Sequence, residues 1–180
     1  PGGCNNLAGG NMSFAAGHMT RANHRGCFVW SDSTHSSGEI LQTNGADQFR
    51  VRARGGTWFF TNAGMSTGAY LAPGSNSWAS AGDSATKTDF SEVDRRALLG
   101  RLAELRVREY RMRDQQDGTR HVGPVAQDFA AAFGYGENNT SINMADADGV
   151  LIAAVQALYE DNQALRAELE ALKARLAISE

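Results

Sequence analysis

Four sets of side chains in this chain could carry chemistry, and spacing narrows what each can do. Asp146-Ala147-Asp148-Gly149 could belong to a calcium loop. Such a loop needs an oxygen ligand two positions earlier and a closing glutamate, and those places hold Met144 and Val155. The two carboxylates suit a helix N-terminus better, where unpaired amide groups favour negative charge. Cys4 and Cys27 have no metal-ligand spacing and no histidine pair nearby, so free thiols and a bridge are both open. His121 is expected as a packed or hydrogen-bonded histidine, not a catalytic one. Arg50, Arg52 and Arg54 alternate with Phe49, Val51 and Ala53, which makes a strand with one apolar and one cationic face. The cationic face could meet a polyanion or a receptor. Charged outer faces are ordinary on half-buried strands, so a solvated face is the simpler expectation. No cofactor and no metal is called for.

The elements that must position these residues divide the chain. Its 180 residues suffice for one modest domain or two small ones. A net charge of -3 gives no sign of nucleic-acid binding. No apolar run is long enough to enter a membrane as a span, and no signal peptide opens the chain. The start at Pro1, in mid-motif, is expected to lie within a longer protein, so a missing signal peptide does not locate it. Residues 1–80 are rich in Gly, Ser, Asn and Thr; residues 91–180 are rich in Ala, Leu, Arg, Asp and Glu. The shift places a boundary near residues 80–90 between a β-rich and an α-rich module.

In the β-rich module Ala8, Ser13-Phe14 and Ala15 recur fourteen residues later as Ala22, Cys27-Phe28 and Val29. A short repeat of this kind suits stacked β-coils, each unable to bury its apolar face alone. Two copies are too few to stand alone, which implies a longer chain or support from other copies. Further on, the strand Phe49–Ala53 is expected to turn at Gly55-Gly56 and return as Thr57–Thr61 in a hairpin. In the α-rich module, helical spacing runs over 92–105. A strand covers 107–113, with a turn at Asp117-Gly118 and a return at 120–122. A further helix starts near Pro124, runs through Phe133 and ends at Gly134.

The last thirty residues carry a heptad seam. Leu151, Val155, Leu158, Asn162, Leu165, Leu169, Leu172 and Leu176 follow steps of four and three, and such a seam needs a partner helix. Asp161 and Glu168 fall at g, and Arg166 and Lys173 at e. In a parallel, in-register bundle Asp161 faces Arg166 of a neighbour and Glu168 faces Lys173. Asn162 at an a position reads as a register pin that penalises slipped alignments. Leu at every d with Asn at a is a dimer-like pattern, but the heptads alone leave two or three strands open.

Three blocks carry a family resemblance. They are Asp83-Ser84-Ala85-Thr86-Lys87-Thr88-Asp89-Phe90, then His121-Val122-Gly123-Pro124-Val125-Ala126-Gln127-Asp128-Phe129, then Asp146-Ala147-Asp148-Gly149-Val150 leading into Ala153–Leu158. Over residues 78–180 the chain resembles the endosialidase-type intramolecular chaperone domain, also known as a self-cleaving serine peptidase domain. Residues 1–30 resemble, more weakly, the head repeats of trimeric autotransporter adhesins and of phage-like fibres. The resemblance implies an α+β chain. An N-terminal β-rich trimeric shaft or head module at 1–80 precedes a small α+β chaperone domain at 81–149. A long parallel coiled-coil helix at 150–180 completes it. It implies a parallel homotrimer that registers the preceding β-rich shaft, in a phage tailspike or fibre or at a bacterial cell surface, hence extracellular. Any surface glycan or receptor would be a partner of an N-terminal part outside this chain.

The family also implies chemistry. Its self-cleavage resembles Ser/Lys catalysis, with a serine five residues before a lysine that serves as its base. Here the lysine is Lys87, and Gly82 stands in the serine position. Ser84 and Ser80, three and seven residues before Lys87, could reach it only with altered backbone. A misplacement of about 1 Å can already cost ~100-fold in rate. The expected protein is therefore structural and uncleaved. The alternative is an active self-cleaving Ser/Lys peptidase that uses Ser84 or Ser80 to release its C-terminal chaperone. A carbohydrate-binding fibre tip finds no specific aromatic-plus-carboxylate cluster to support it.

Overall fold

The computed structural model describes residues 2–33 and 38–177. The chain forms two compact units, Pro1–Thr88 and Asp89–Glu180. Strands and helices are both present, so the class is α+β.

Among the described residues the first unit holds ten short strands: β1 (Gly3–Cys4), β2 (Leu7–Ala8), β3 (Phe14–His18), β4 (Thr20–Ala22), β5 (Phe28–Ser31), β6 (Leu41–Gln42), β7 (Phe49–Arg52), β8 (Thr57–Phe60), β9 (Gly68–Leu71) and β10 (Ala79–Ser80). The first seven form a parallel β-roll. One sheet runs β1-β3-β5-β7 and the other β2-β4-β6. The fourteen-residue repeat is its register: Ala8 pairs with Ala22, Phe14 with Phe28 and Ala15 with Val29. A further coil follows at a longer step, with Phe28 against Phe49 and Thr20 against Leu41. The corners repeat too. Asn5 and Met19 have φ of 58° and 54°, and Met12, Gly26 and Asp47 have φ of 56°, 68° and 58°. Gly, Asn and Asp tolerate this left-handed region, so of these five residues Met12 and Met19 hold the turn against local preference. At Gly17, φ is +87° and an added Cβ would lie 1.8 Å from the Ser31 carbonyl oxygen, so only glycine fits there.

The roll's interior is narrow and made of small residues. Ala22, Cys27 and Val29 are buried, and so are the polar Thr20, Ser31 and Thr43. Each buried hydroxyl has a partner, as burial requires. Thr20 Oγ1 donates to Asn6 Oδ1 at 2.8 Å, Thr43 Oγ1 accepts from the Asn23 amide at 3.1 Å, and Ser31 Oγ accepts from Arg52 Nε at 2.9 Å. The large apolar residues lie outside. Phe14, Phe28 and Phe49 stack on successive coils at 4.7 and 4.9 Å between centroids; Phe28, between the other two, is half-buried, and Phe14, Phe49, Trp30 and Val51 are exposed.

This corrects two expectations. The Phe49–Ala53 strand does not pair with Thr57–Thr61. It joins β5 in parallel, and β8 pairs with β9, which pairs with β10. Alternation specifies a strand's faces but not its neighbour; the open edge of β5 offers a matching column of phenylalanines. Gly55-Gly56 still makes a turn, with the Gly56 amide bonded to Ala53, but it passes the chain to a different sheet. Two of the three arginines are also not on a solvated outer face, while Arg54 is exposed. Arg50 and Arg52 are partly buried while Phe49 and Val51 are exposed. Arg50 Nη1 donates to the Gln42 carbonyl, and Arg52 reaches Ser31 and, at 3.9 Å, Asp32. These arginines cap the last coil, where the next strand's polar partners are missing.

The second unit comprises α1 (Arg95–Glu104), β11 (Arg108–Tyr110), β12 (His121–Gly123), α2 (Ala126–Phe133) and α3 (Met144–Ala177). Asp94 caps α1 by accepting from the Ala97 amide at 3.0 Å. Gly134 ends α2 at φ 69°, the left-handed position that glycine occupies without strain. β11 and β12 pair antiparallel, Glu109 against Val122. Leu98, Phe129, Phe133, Val150, Ala153 and Ala154 form the core. Among the described residues no helix is long and apolar enough to cross a membrane.

Candidate functional site

Two places answer to the residues singled out in the sequence. The first is the segment before α1. Ser84–Thr86 forms a single 3-10 turn, and Asp83 caps it by accepting from the Ala85 amide at 2.9 Å. The Lys87 amide bonds to the Ser84 carbonyl at 3.1 Å, so Ser84 and Lys87 share one turn. Ser80 is one strand further back, in β10 opposite Ala69. Every residue from Ser80 to Phe90 is exposed. At Gly82 an added Cβ would meet no described atom within 4 Å, and its φ lies outside the glycine-favouring region. A serine therefore fits there without strain.

The second place is α3. It begins at Met144, ahead of Leu151, with Asn143 Oδ1 accepting from the Ala145 amide at 3.0 Å and Asp146 in its first turn. Val150, Ala153, Ala154 and Ala157 are buried in the unit. The seam is a different face of the helix. Leu151, Val155, Leu158, Leu165, Leu169 and Leu172 are 51–64% exposed, and Asn162 and Leu176 are exposed as well. Ile152 and Tyr159, at e, add apolar surface beside it.

Charges fix α3 to α1. Arg95 pairs with Glu160 at 2.8 Å, and Arg96 pairs with Asp161 at 2.7 Å. The spacing of residues on α3 put Asp161 opposite a neighbour's Arg166 but gave no sign of Arg96, which lies 65 residues away along the chain. Elsewhere in the unit, Asp128 on α2 holds both Arg106 (3.1 Å) and Arg108 (2.8 Å), which tie β11 to the helix. His121 is hydrogen-bonded to Gln115 Oε1 at 2.7 Å and stacks on Tyr110. In the loop below it, hydrogen bonds from Thr119 hold the Asp117 carboxyl below its ordinary pKa. Cys4 and Cys27 are free thiols; Cys27 lies in the roll core against the Gly45 carbonyl.

The second unit thus joins a small helical core to a long helix that keeps an apolar face outward. Residues 82–135 match the family model described as chaperone of endosialidase. This stretch carries an endosialidase-type intramolecular chaperone domain. The match starts at Gly82, spans α1, β11, β12 and α2, and ends before α3. A search of curated proteins returned no match to the chain.

Proposed function

We propose that the chain is a fibre component whose C-terminal unit brings three copies together in parallel along the Leu151–Leu176 seam and so registers the β-roll before it. The observation that carries this reading is the exposure of the seam from Leu151 to Leu172 on a helix of 34 residues. The occupant is a second and third copy of the same chain. The charge pattern favours it, because acidic g and basic e positions alternate as a parallel self-pairing needs. Apolar residues at e widen the stripe, which suits three strands better than two.

The roll supports the same reading. It stacks many non-local parallel pairings, which form slowly, and its open strand edges invite wrong partners. A tether at the C-terminus replaces a search in bulk solution by a high effective concentration. Fourteen-residue coils with aromatic columns outward fit a head or shaft segment, and an extracellular place on a virion fibre or bacterial surface follows. Sedimentation of the whole chain tests the core of the proposal: a trimer at micromolar concentration is expected, and a monomer overturns it.

The chain is further proposed to stay uncut. Gly82 supplies no hydroxyl at the family's serine position, and Lys87 would be a remnant. The second reading, cleavage by Ser84 or Ser80, draws on the single turn that joins Ser84 to Lys87. Intact mass separates the two: one species of full length is expected, while a fragment ending near residues 80–84 that disappears in Lys87→Ala would establish a working peptidase. Gly82→Ser, which has room for its side chain, is expected to restore cutting, and adding Lys87→Ala to it should abolish cutting again.

A further inference from the structure

We infer that Asp161 is a shared carboxylate: Arg96 of its own chain holds Oδ1, Oδ2 is presented to Arg166 of a second copy, and Arg96 is thereby a positioning residue for in-register assembly. The inference rests on the self-association proposed above. Arg96 Nη2 and Nε both donate to Oδ1, at 2.7 and 3.2 Å. A carboxylate offers about four lone-pair sites on its two oxygens, so this fork leaves Oδ2 able to accept. The Asp161 side chain is 38% exposed, at the g position beside the seam. Arg166, at the e position that a parallel neighbour brings opposite, is exposed and has no ion-pair partner among the described residues.

Arg96 can aim because α1 is anchored. Two residues on, Leu98 is buried in the core, and Arg95 makes the adjacent pair with Glu160. Two opposing effects act on the neighbour's Arg166. The charge of Arg96 repels it, and the fork of Arg96 orders the carboxylate that receives it. At an exposed site the repulsion is weakened by water and salt. The ordering is kept, because a side chain already fixed loses less freedom when a partner docks. Orientation therefore outweighs repulsion, and α1 docking is coupled to seam register.

A double-mutant cycle on the full chain tests this, with Arg96→Gln and Arg166→Gln and sedimentation equilibrium as the readout. Arg166→Gln is expected to weaken association by about two- to five-fold for each interchain pair, the range of exposed ion pairs. In the Arg96→Gln background that loss should shrink, and the difference should fade at high salt. Arg96→Lys keeps the charge but not the fork and should behave like Arg96→Gln. It also covers the case in which Arg96→Gln loosens α1. Equal losses in both backgrounds, or a larger loss without Arg96, would overturn the inference while leaving self-association intact. If the unmodified chain does not associate, both readings fall together.

Discussion

Helix α3 has two apolar faces, and they are built from different residues. The face that its own unit covers is small: Val150, Ala153, Ala154 and Ala157. The face left in water is large: Leu151, Leu158, Leu165, Leu169 and Leu172. Small residues let α1 approach closely, and Leu98, Phe129 and Phe133 supply the bulk of the shared core. The β-roll repeats the arrangement. Alanine, valine and cysteine fill its inside, while Phe14, Phe28, Phe49 and Trp30 lie outside. Burying a leucine or phenylalanine side chain contributes about 1.5–3 kcal/mol, so the stronger share of the apolar driving force is unspent within a single chain. The comparison teaches that, on α3 and in the roll alike, the face covered within the chain carries small residues and the exposed face carries large ones.

The largest expected effect removes one face and spares the other. A chain ending at Asp161 keeps the packed turns and both arginine pairs but loses the seam beyond Leu158. It should sediment as a monomer, with a lower yield of folded roll. A trimer formed at unchanged yield would break the comparison, because the large face would then have no role in assembly.

Leu98→Ala attacks the covered face instead and should destabilise the second unit by about 2–5 kcal/mol, read as a fall in its helical melting temperature. Leu169→Ala, matched in size, should leave that transition unchanged in dilute monomer and weaken association only. Similar melting shifts from both variants would mean that the two faces are not distinct.

A smaller effect sharpens the parallel with the roll. Arg52→Met leaves the buried Ser31 hydroxyl without the donor it now accepts from, which should cost about 1–3 kcal/mol. Denaturant unfolding followed by the tryptophan signal measures it. If stability is unchanged, the arginines are not end caps.

The smallest effect lies away from both contrasted surfaces. The Asp117 carboxyl is held below its ordinary pKa by Thr119. Its contribution to the loop is present above the unfolded carboxylate value, near 3.9, and is lost as pH falls through the lower folded value. The Thr119 amide resonance should stay constant through the ordinary carboxylate range and shift only below it. A shift centred at or above the ordinary value would show that the hydrogen bonds are not made in solution.

Much of this was legible from local pattern. The fourteen-residue spacing of Phe14 and Phe28 became strand register, because coils stacked in parallel place equivalent residues on top of one another. The next coil was hidden, because the step from Phe28 to Phe49 is longer and no equal spacing announces it. The alternation of Phe49, Arg50, Val51 and Arg52 was read correctly as a strand. Which side faced water was not, since the usual assumption puts charge outward, and here charge seals an open end. Gly134 and Asp146 took their expected helix-end positions because such positions depend on neighbours a few residues away, whereas the Asp94 cap inside the expected helix 92–105 was not foreseen. The site at Gly82, Ser84 and Lys87 was named by resemblance. The structure adds that Ser84 and Lys87 share a turn and that Gly82 has room for a side chain.

By itself the sequence determined the periodicities: fourteen residues in the roll, seven in the last helix, and the residue types that turns and helix ends demand. These are local quantities, set by backbone geometry and by which face a side chain takes. Tertiary structure alone decided which strand lies beside which, that the arginines cap a coil, and that Asp161 is held by Arg96. Each of those joins residues far apart along the chain, and such pairs form only when packing elsewhere has brought their elements together. Leu98 in its core does so for Arg96, and the stacked phenylalanines do so for Arg50 and Arg52.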